Sequence, residues 1–144
     1  MKKILLLIVL FVFTSANVFA NEDIETFNLA VKLKKEANYQ EAVKLFIKTL
    51  KVQEDDVEVA RKICFEIADC FAKDGNEKSA VKFLKVAIRN YGATQEDVQN
   101  NQILNKGFIA TAWNSIEMDY DNLRRVYTLK IGNEVRKEYA ALSR

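Results

Sequence analysis

The sequence predicts an all-α protein in which antiparallel helical hairpins stack into an α-α superhelix. When the chain is shifted by 38 positions, residues 28–50 align without a gap on residues 66–88. The sequence of one predicted hairpin is therefore repeated. The 144 residues include no Pro and only four Gly, a composition that suits helices better than a sheet with many tight turns. Apolar residues recur at three- and four-residue spacing, as in amphipathic helices. Together these observations predict about three hairpins.

The first 20 residues have the pattern of a secretory signal peptide. Lys2 and Lys3 precede an apolar run over residues 4–13, and small residues lead to a cleavage position at Ala20. The run is shorter than the roughly 20 apolar residues that a membrane-spanning helix needs. We expect an exported chain, periplasmic or secreted, that comprises residues 21–144 and has no membrane span. An uncleaved N-terminal anchor is the alternative.

The two clearest hairpins are predicted at about residues 23–52 and 56–91. Each has an apolar face on both helices and a polar turn between them, at residues 36–39 and 74–76. Gly75 suits a turn because glycine adopts positive φ without steric cost. Six residues are identical at the 38-residue offset: Ala30, Lys35, Asn38, Ala42, Val43 and Lys44 align with Ala68, Lys73, Asn76, Ala80, Val81 and Lys82.

Residues 94–142 are predicted to form a degenerate third hairpin and a closing helix that covers the last apolar face. One register places a turn at Gly107, with Ala112 and Ile116 on the next helix. A rival register starts a new unit at Trp113, and both remain open. An apolar stripe then continues along the chain, with Gly132 as a candidate break: Tyr120, Leu123, Tyr127, Ile131, Val135 and Tyr139.

These residues resemble the tetratricopeptide repeat, a family of helical hairpins about 34 residues long. The resemblance rests on a large-small pair in the first helix and a small residue at the start of the second. The 38-residue spacing is longer than the family's, and the usual closing Pro is absent; longer spacing resembles members that serve the bacterial envelope. The matching positions are Leu29-Ala30 with Ile67-Ala68, Leu33 with Phe71, Ala42 with Ala80, and Phe46 with Leu84.

The resemblance implies a protein-binding module, an adaptor or scaffold, whose concave face is lined by the first helix of each hairpin. Phe27 and Phe65 would make this groove suitable for an apolar or mixed peptide. The alternative is that the chain's own terminal helix covers these rings. A self-associating structural component is the second functional hypothesis. The implied partner-binding residues are Phe27, Val31, Lys34, Phe65, Asp69 and Lys73.

Composition argues against catalysis and against nucleic-acid binding. The chain contains no His, the commonest general base and metal ligand, and no Gly-rich phosphate loop. We therefore expect no enzymatic activity, cofactor or metal. Without Lys2 and Lys3 the basic residues number 22 − 2 = 20 against 20 acidic residues, and this balance lacks the basic excess that nucleic-acid binding requires.

Two further features allow both a structural and a functional interpretation. Cys64 and Cys70 are six residues apart on one predicted helix, about 9 Å along its axis, which is too far for a disulfide between them. They are expected to be core residues, with an intermolecular disulfide as the alternative.

Residues 123–144 carry six basic and two acidic residues. This excess would suit anionic lipid or an acidic partner, or would simply be the solvated face of a terminal helix.

Overall fold

The computed structural model describes residues 21–142, which form six helices and no strand, so the all-α prediction is confirmed for this range. The predicted signal peptide lies outside the described residues. Within the described range no helix combines the length and apolarity needed to cross a bilayer. The helices are α1 (residues 21–35), α2 (Tyr39–Val52), α3 (Val57–Lys73), α4 (Glu77–Tyr91), α5 (Gln95–Gln99) and α6 (Lys106–Leu142).

The 38-residue repeat reappears in the backbone of the two turns that join α1 to α2 and α3 to α4. Ala37 and Gly75, which differ by 38 positions, both have left-handed backbone conformations, with φ of 60° and 78°. The following residues, Asn38 and Asn76, start α2 and α4 with nearly equal ψ angles of 66° and 67°. The backbone N–H donors also match: Ala37 to Lys34 and Asn38 to Leu33 in the first turn, Gly75 to Ala72 and Asn76 to Phe71 in the second.

Helix α3 is the centre of the molecule because it packs against α2 on one side and α4 on the other. Eight of its 17 residues are buried. On the α4 side, Ala60, Cys64 and Ala68 are completely buried and form a row at four-residue spacing. On the other side, Ile63 and Ile67 belong to a separate core cluster shared with α1 and α2. Helix α3 therefore has two apolar faces, and each of them packs into a different hydrophobic core.

After α4 the chain departs from the expected third hairpin and separate closing helix. Helix α5 is only five residues long, and α6 is a single helix of 37 residues that packs on α4 and α5. Gly107 lies in the first turn of α6 instead of forming a turn, because the Asn105 side chain accepts hydrogen bonds from the N–H groups of Gly107 and Phe108 and caps the helix. Gly132 lies inside α6, which runs through it without a break.

The first half of α6 is held against the end of α4. Gly92, which ends α4 with a left-handed φ of 66°, has its carbonyl oxygen 2.5 Å from the Arg124 guanidinium. The Tyr127 ring covers Gly92 so closely that a Cβ there would overlap it. The Tyr120 hydroxyl accepts a hydrogen bond of 2.9 Å from the Gln95 N–H. These contacts fix where α6 crosses the end of α4.

The matched turns predict opposite effects of exchanging alanine and glycine. Ala37→Gly should raise the free energy of unfolding by about 0.5–1 kcal/mol, because a left-handed conformation costs an L-residue about 1–2 kcal/mol and glycine's extra freedom in the unfolded chain offsets part of that gain. Gly75→Ala should lower it by about 1 kcal/mol through backbone strain alone, since no atom lies within 4 Å of the added Cβ. Chemical denaturation measures both. A destabilised Ala37→Gly variant would contradict the equivalence of the two turns.

Candidate functional site

An apolar cavity of about 460 Å³ opens between α1, the end of α2 and the start of α3. Phe27 lies in its wall, with its ring edge-on to Phe46 at a centroid distance of 5.5 Å. Ile24 is 59% exposed and Val59 is 36% exposed, so apolar surface remains open to solvent here. The full lining is Asp23, Ile24, Phe27, Thr49, Gln53, Val59, Lys62 and Ile63.

A second cavity, of about 600 Å³, lies next to the first, between α3, α5 and the loop that follows α5. It has Phe65 and Ile103 among its lining residues, whereas the remaining lining side chains are charged or polar. The Arg61 guanidinium is 3.0 Å from the Asp97 carboxylate and joins α3 to α5. The lining consists of Glu58, Arg61, Lys62, Phe65, Glu96, Asp97, Asn100, Asn101, Gln102 and Ile103.

Hydrogen bonding sets the charge of Asp97 in this second cavity. Burial alone would raise the pKa of the carboxyl group, but hydrogen bonds from Thr94 and the nearby Arg61 guanidinium outweigh burial and lower the pKa. Thr94 and Asp97 also form the capping box of α5. Asp97 therefore stays ionised well into the acidic range and keeps Arg61 engaged.

The two cavities are related by the sequence repeat. The three α1 residues that line the apolar cavity, Asp23, Ile24 and Phe27, correspond at the 38-residue offset to Arg61, Lys62 and Phe65 of α3, which line the polar cavity. Lys62 lines both. We call the two cavities together the groove; it runs across the first helix of each hairpin and is apolar at the α1 end and polar at the α5 end.

Four charged residues bridge α1 and α3 at the other end of these helices. The Lys34 ammonium lies 2.6 Å from Glu66 and 2.5 Å from Asp69, and Lys73 lies 2.8 Å from Asp69. The Asp69 side chain is only 2% exposed and that of Lys34 13% exposed. We call these four residues the bridging cluster. Their ion pairs link the two helices, and the Asp69 and Lys34 side chains are largely shielded from water.

The charge of Lys34 is favoured by its surroundings. Burial lowers the pKa of the ammonium group, but hydrogen bonds to Asp69 and Glu66 and the negative charges of both carboxylates outweigh burial, so the pKa is raised. Lys34 is therefore charged throughout the neutral and moderately alkaline range. Asp69, which sits deepest in the cluster, is consequently paired with two cations.

The six sequence-predicted binding residues divide into two groups. Phe27 and Phe65 line the groove, although Phe65 is only 3% exposed and belongs to the core. Val31 is partly buried against the core cluster that α1 and α2 share with α3. Lys34, Asp69 and Lys73 belong to the bridging cluster, where their charges face one another. The partner-binding role of all six stays a prediction.

Ile24, Val59 and Lys62 line the groove but were not among the predicted residues. The 38-residue offset pairs Ile24 with Lys62, so the repeat could have indicated both positions. Val59 is on α3, like Lys62, and it lines the same cavity as Ile24 because α3 packs against α1 and α2.

The two cysteines have no place in the groove. Cys64 and Cys70 are free thiols and are completely buried, as the core interpretation of the sequence predicts. Burial raises the pKa of the Cys64 thiol to about 12 and that of Cys70 to about 11, so both are protonated at neutral pH and unreactive. Within residues 21–142 no group of three or more His, Cys, Asp or Glu side chains is arranged to hold a metal ion.

Comparison with known proteins finds no family, no curated protein and no solved structure that matches this chain. The candidate site is therefore defined by its own residues.

The bridging cluster predicts an unequal effect of two Lys→Met substitutions. Lys34→Met should lower the free energy of unfolding by about 2–3 kcal/mol, because it leaves the buried Asp69 with a single, more exposed cation. Lys32→Met is the control, since Lys32 is 70% exposed and makes only a long 3.9 Å ion pair with Glu36, worth about 0.5 kcal/mol or less.

The same pair of variants predicts a pH dependence. Because the folded-state pKa of Lys34 is raised, its contribution is fully present below the ordinary lysine pKa and is lost as the pH rises through the raised value. The stability difference between wild type and Lys34→Met should therefore shrink at strongly alkaline pH. A difference that grows with pH, or that equals the Lys32→Met difference, would contradict the role assigned to Lys34.

Proposed function

We propose that the protein is an exported helical-repeat module, similar to tetratricopeptide-repeat proteins, that binds a protein or peptide partner in the bacterial envelope and catalyses no reaction. The observation that carries the proposal is the groove, in which two adjacent cavities occupy positions that differ by the repeat length. The signal-like pattern of residues 1–20 supports export.

The groove suits a polypeptide segment better than a small molecule. Its two cavities are open and adjacent, and they share Lys62, so one extended or helical segment can occupy both. The apolar cavity would accept a bulky aliphatic or aromatic side chain, and burial of Ile24, Val59 and Phe27 would supply most of the affinity. The polar cavity would pair its Glu58, Lys62 and Glu96 side chains with the more polar part of the segment.

Bridging across α1 and α3 would favour such binding. The bridging cluster joins α1 and α3 at one end, so the position of the two helices at the apolar end of the groove would be set before a partner arrives. A preformed site avoids the entropic cost of ordering helices during binding. The lack of His and of a Gly-rich phosphate loop in the sequence supports a binding role over catalysis.

A self-associating structural role is the second candidate function. The observation that favours it is the long, uncovered end of α6.

The proposal predicts loss of partner capture when the apolar cavity is made acidic. The double variant Ile24→Asp/Val59→Asp should lose proteins that the wild-type protein retains from the envelope fraction of its source cells, because two buried charges would oppose apolar contact. Both positions are partly exposed, so the fold should survive, whereas a change at Phe65 would damage the core.

Met118→Asp is the matched control for this experiment, since Met118 is 94% exposed and lies on α6, away from the lining residues of both cavities. The control should retain the same proteins as wild type. If wild type, Ile24→Asp/Val59→Asp and Met118→Asp all recovered the same proteins, the groove would not be the binding site. Circular dichroism of each variant verifies that the helices remain folded.

A further inference from the structure

The second half of α6 extends beyond the rest of the described structure. The helix has 37 residues, about 55 Å at 1.5 Å per residue, and Arg124 and Tyr127 hold it against Gly92 at the end of α4. Residues 128–142 make up about 22 Å of this length. In this segment every residue except Ile131 and Gly132 is exposed. An isolated helix of this length is marginally stable in water, so a covering partner would stabilise it.

An apolar stripe runs along α6. Helices α4 and α5 cover its earlier part, and the stripe continues into residues 128–142. Tyr127, Ile131, Val135 and Tyr139 follow one another at four-residue intervals, so each lies about 40° further round the helix than the one before, and together they form an inclined stripe. Tyr127 already packs on Gly92, whereas Val135 is 43% exposed and Tyr139 71% exposed. The uncovered part is narrow, as in helix-helix seams, and lacks the broad apolar face of helices that lie in a lipid surface.

Charged residues form a second row beside this stripe. Lys130, Glu134 and Glu138 are also spaced four apart and lie about 80–100° around the helix from the stripe, given 3.6 residues per turn. The row therefore carries one positive charge followed by two negative charges. In an antiparallel copy the order is reversed, so Lys130 of each copy meets the acidic part of the other row, while the two copies of Glu134 lie next to each other.

We propose that α6 pairs with α6 of a second copy of this chain, in an antiparallel arrangement with its two-fold axis near Asn133. In this register Ile131 of each copy packs on Val135 of the other, and Tyr139 reaches the exposed side of Tyr127. Lys130 of each copy lies between the levels of Glu134 and Glu138 of the other, about 3 Å along the axis from each.

The charge row distinguishes a second copy of the chain from an anionic membrane on one flank of the stripe. A lipid surface with negative headgroups would repel Glu134 and Glu138 on that flank, although it would attract Arg136 on the other. In the helix pair the same two residues meet Lys130 of the second copy. The overlap from residue 127 to residue 139 is only about 20 Å long, so the pair should be weak and dependent on concentration.

Sedimentation equilibrium on the purified protein tests the pairing. Wild type should pass from monomer to dimer as its concentration rises through the micromolar range. Val135→Asp should remain monomeric, because it places a charge in the seam. The matched control is Leu129→Asp, which also changes an exposed apolar residue (60% exposed) to Asp but lies about 160° round the helix from Tyr127 and Ile131; it should dimerise like wild type.

Single-cysteine variants test the orientation. Glu134→Cys should form an intermolecular disulfide rapidly, because the two copies of this position lie on the same flank about 3 Å apart along the axis, whereas the two copies of Glu138→Cys lie about 15 Å apart and should react slowly. The buried native thiols do not interfere.

Three outcomes would overturn the proposal: a wild-type monomer at every concentration, equal loss of dimer in Val135→Asp and Leu129→Asp, or faster disulfide formation by Glu138→Cys. Recruitment of a wild-type monomer to vesicles of anionic phospholipid, abolished by Val135→Asp, would assign the stripe to lipid instead.

Discussion

The structure depends on the close approach of α3 and α4 along a row of small side chains. Ala60, Cys64 and Ala68 are completely buried on α3, and Ala80 is completely buried on α4. Small residues at four-residue spacing leave a shallow surface into which the larger side chains of the neighbouring helix can pack. Because the opposite side of α3 packs against the core of the first hairpin, this contact joins the two hydrophobic cores through one helix.

Stacking of two equivalent hairpins also accounts for the groove and the bridging cluster. The apolar cavity of the groove lies between α1 and α3 toward the start of these helices, and the bridging cluster joins them toward their ends. The groove retains exposed apolar side chains such as Ile24, whereas Asp69 and Lys34 are withdrawn from water and neutralise each other. The proposed binding surface and the ion pairs that join the helices are therefore at opposite ends of α1 and α3. If α6 pairs as we propose, a dimer would carry two such grooves and could bind a repetitive or dimeric partner with higher avidity.

The sequence predicts the fold well where the repeat operates and less well beyond it. The all-α class follows from composition and periodicity, and the turns at Ala37 and Gly75 follow from the 38-residue offset. Residues 106–142 were harder because glycine is an ambiguous signal: Gly107 is accommodated in a helix capped by Asn105, and Gly132 is tolerated inside α6. The bridging cluster was not predictable either, since Lys34 and Asp69 are 35 positions apart and meet only through tertiary packing. For the groove, the offset indicates Phe27 and Phe65, but Phe65 is deeply buried because it belongs to the core that α3 shares with α4, α5 and α6.

Overpacking of the small-residue contact tests the central claim most directly. Ala68→Leu and Ala80→Leu enlarge completely buried positions in the α3–α4 core, and Ala110→Leu makes the same change at an exposed position of α6. Chemical denaturation should show a loss of about 1–3 kcal/mol in unfolding free energy for each buried variant, because the added atoms must force the helices apart. The exposed variant should stay within about 0.5 kcal/mol of wild type. If the buried variants were as stable as wild type, α3 and α4 would not be in close contact, and the stacked-hairpin architecture would be contradicted.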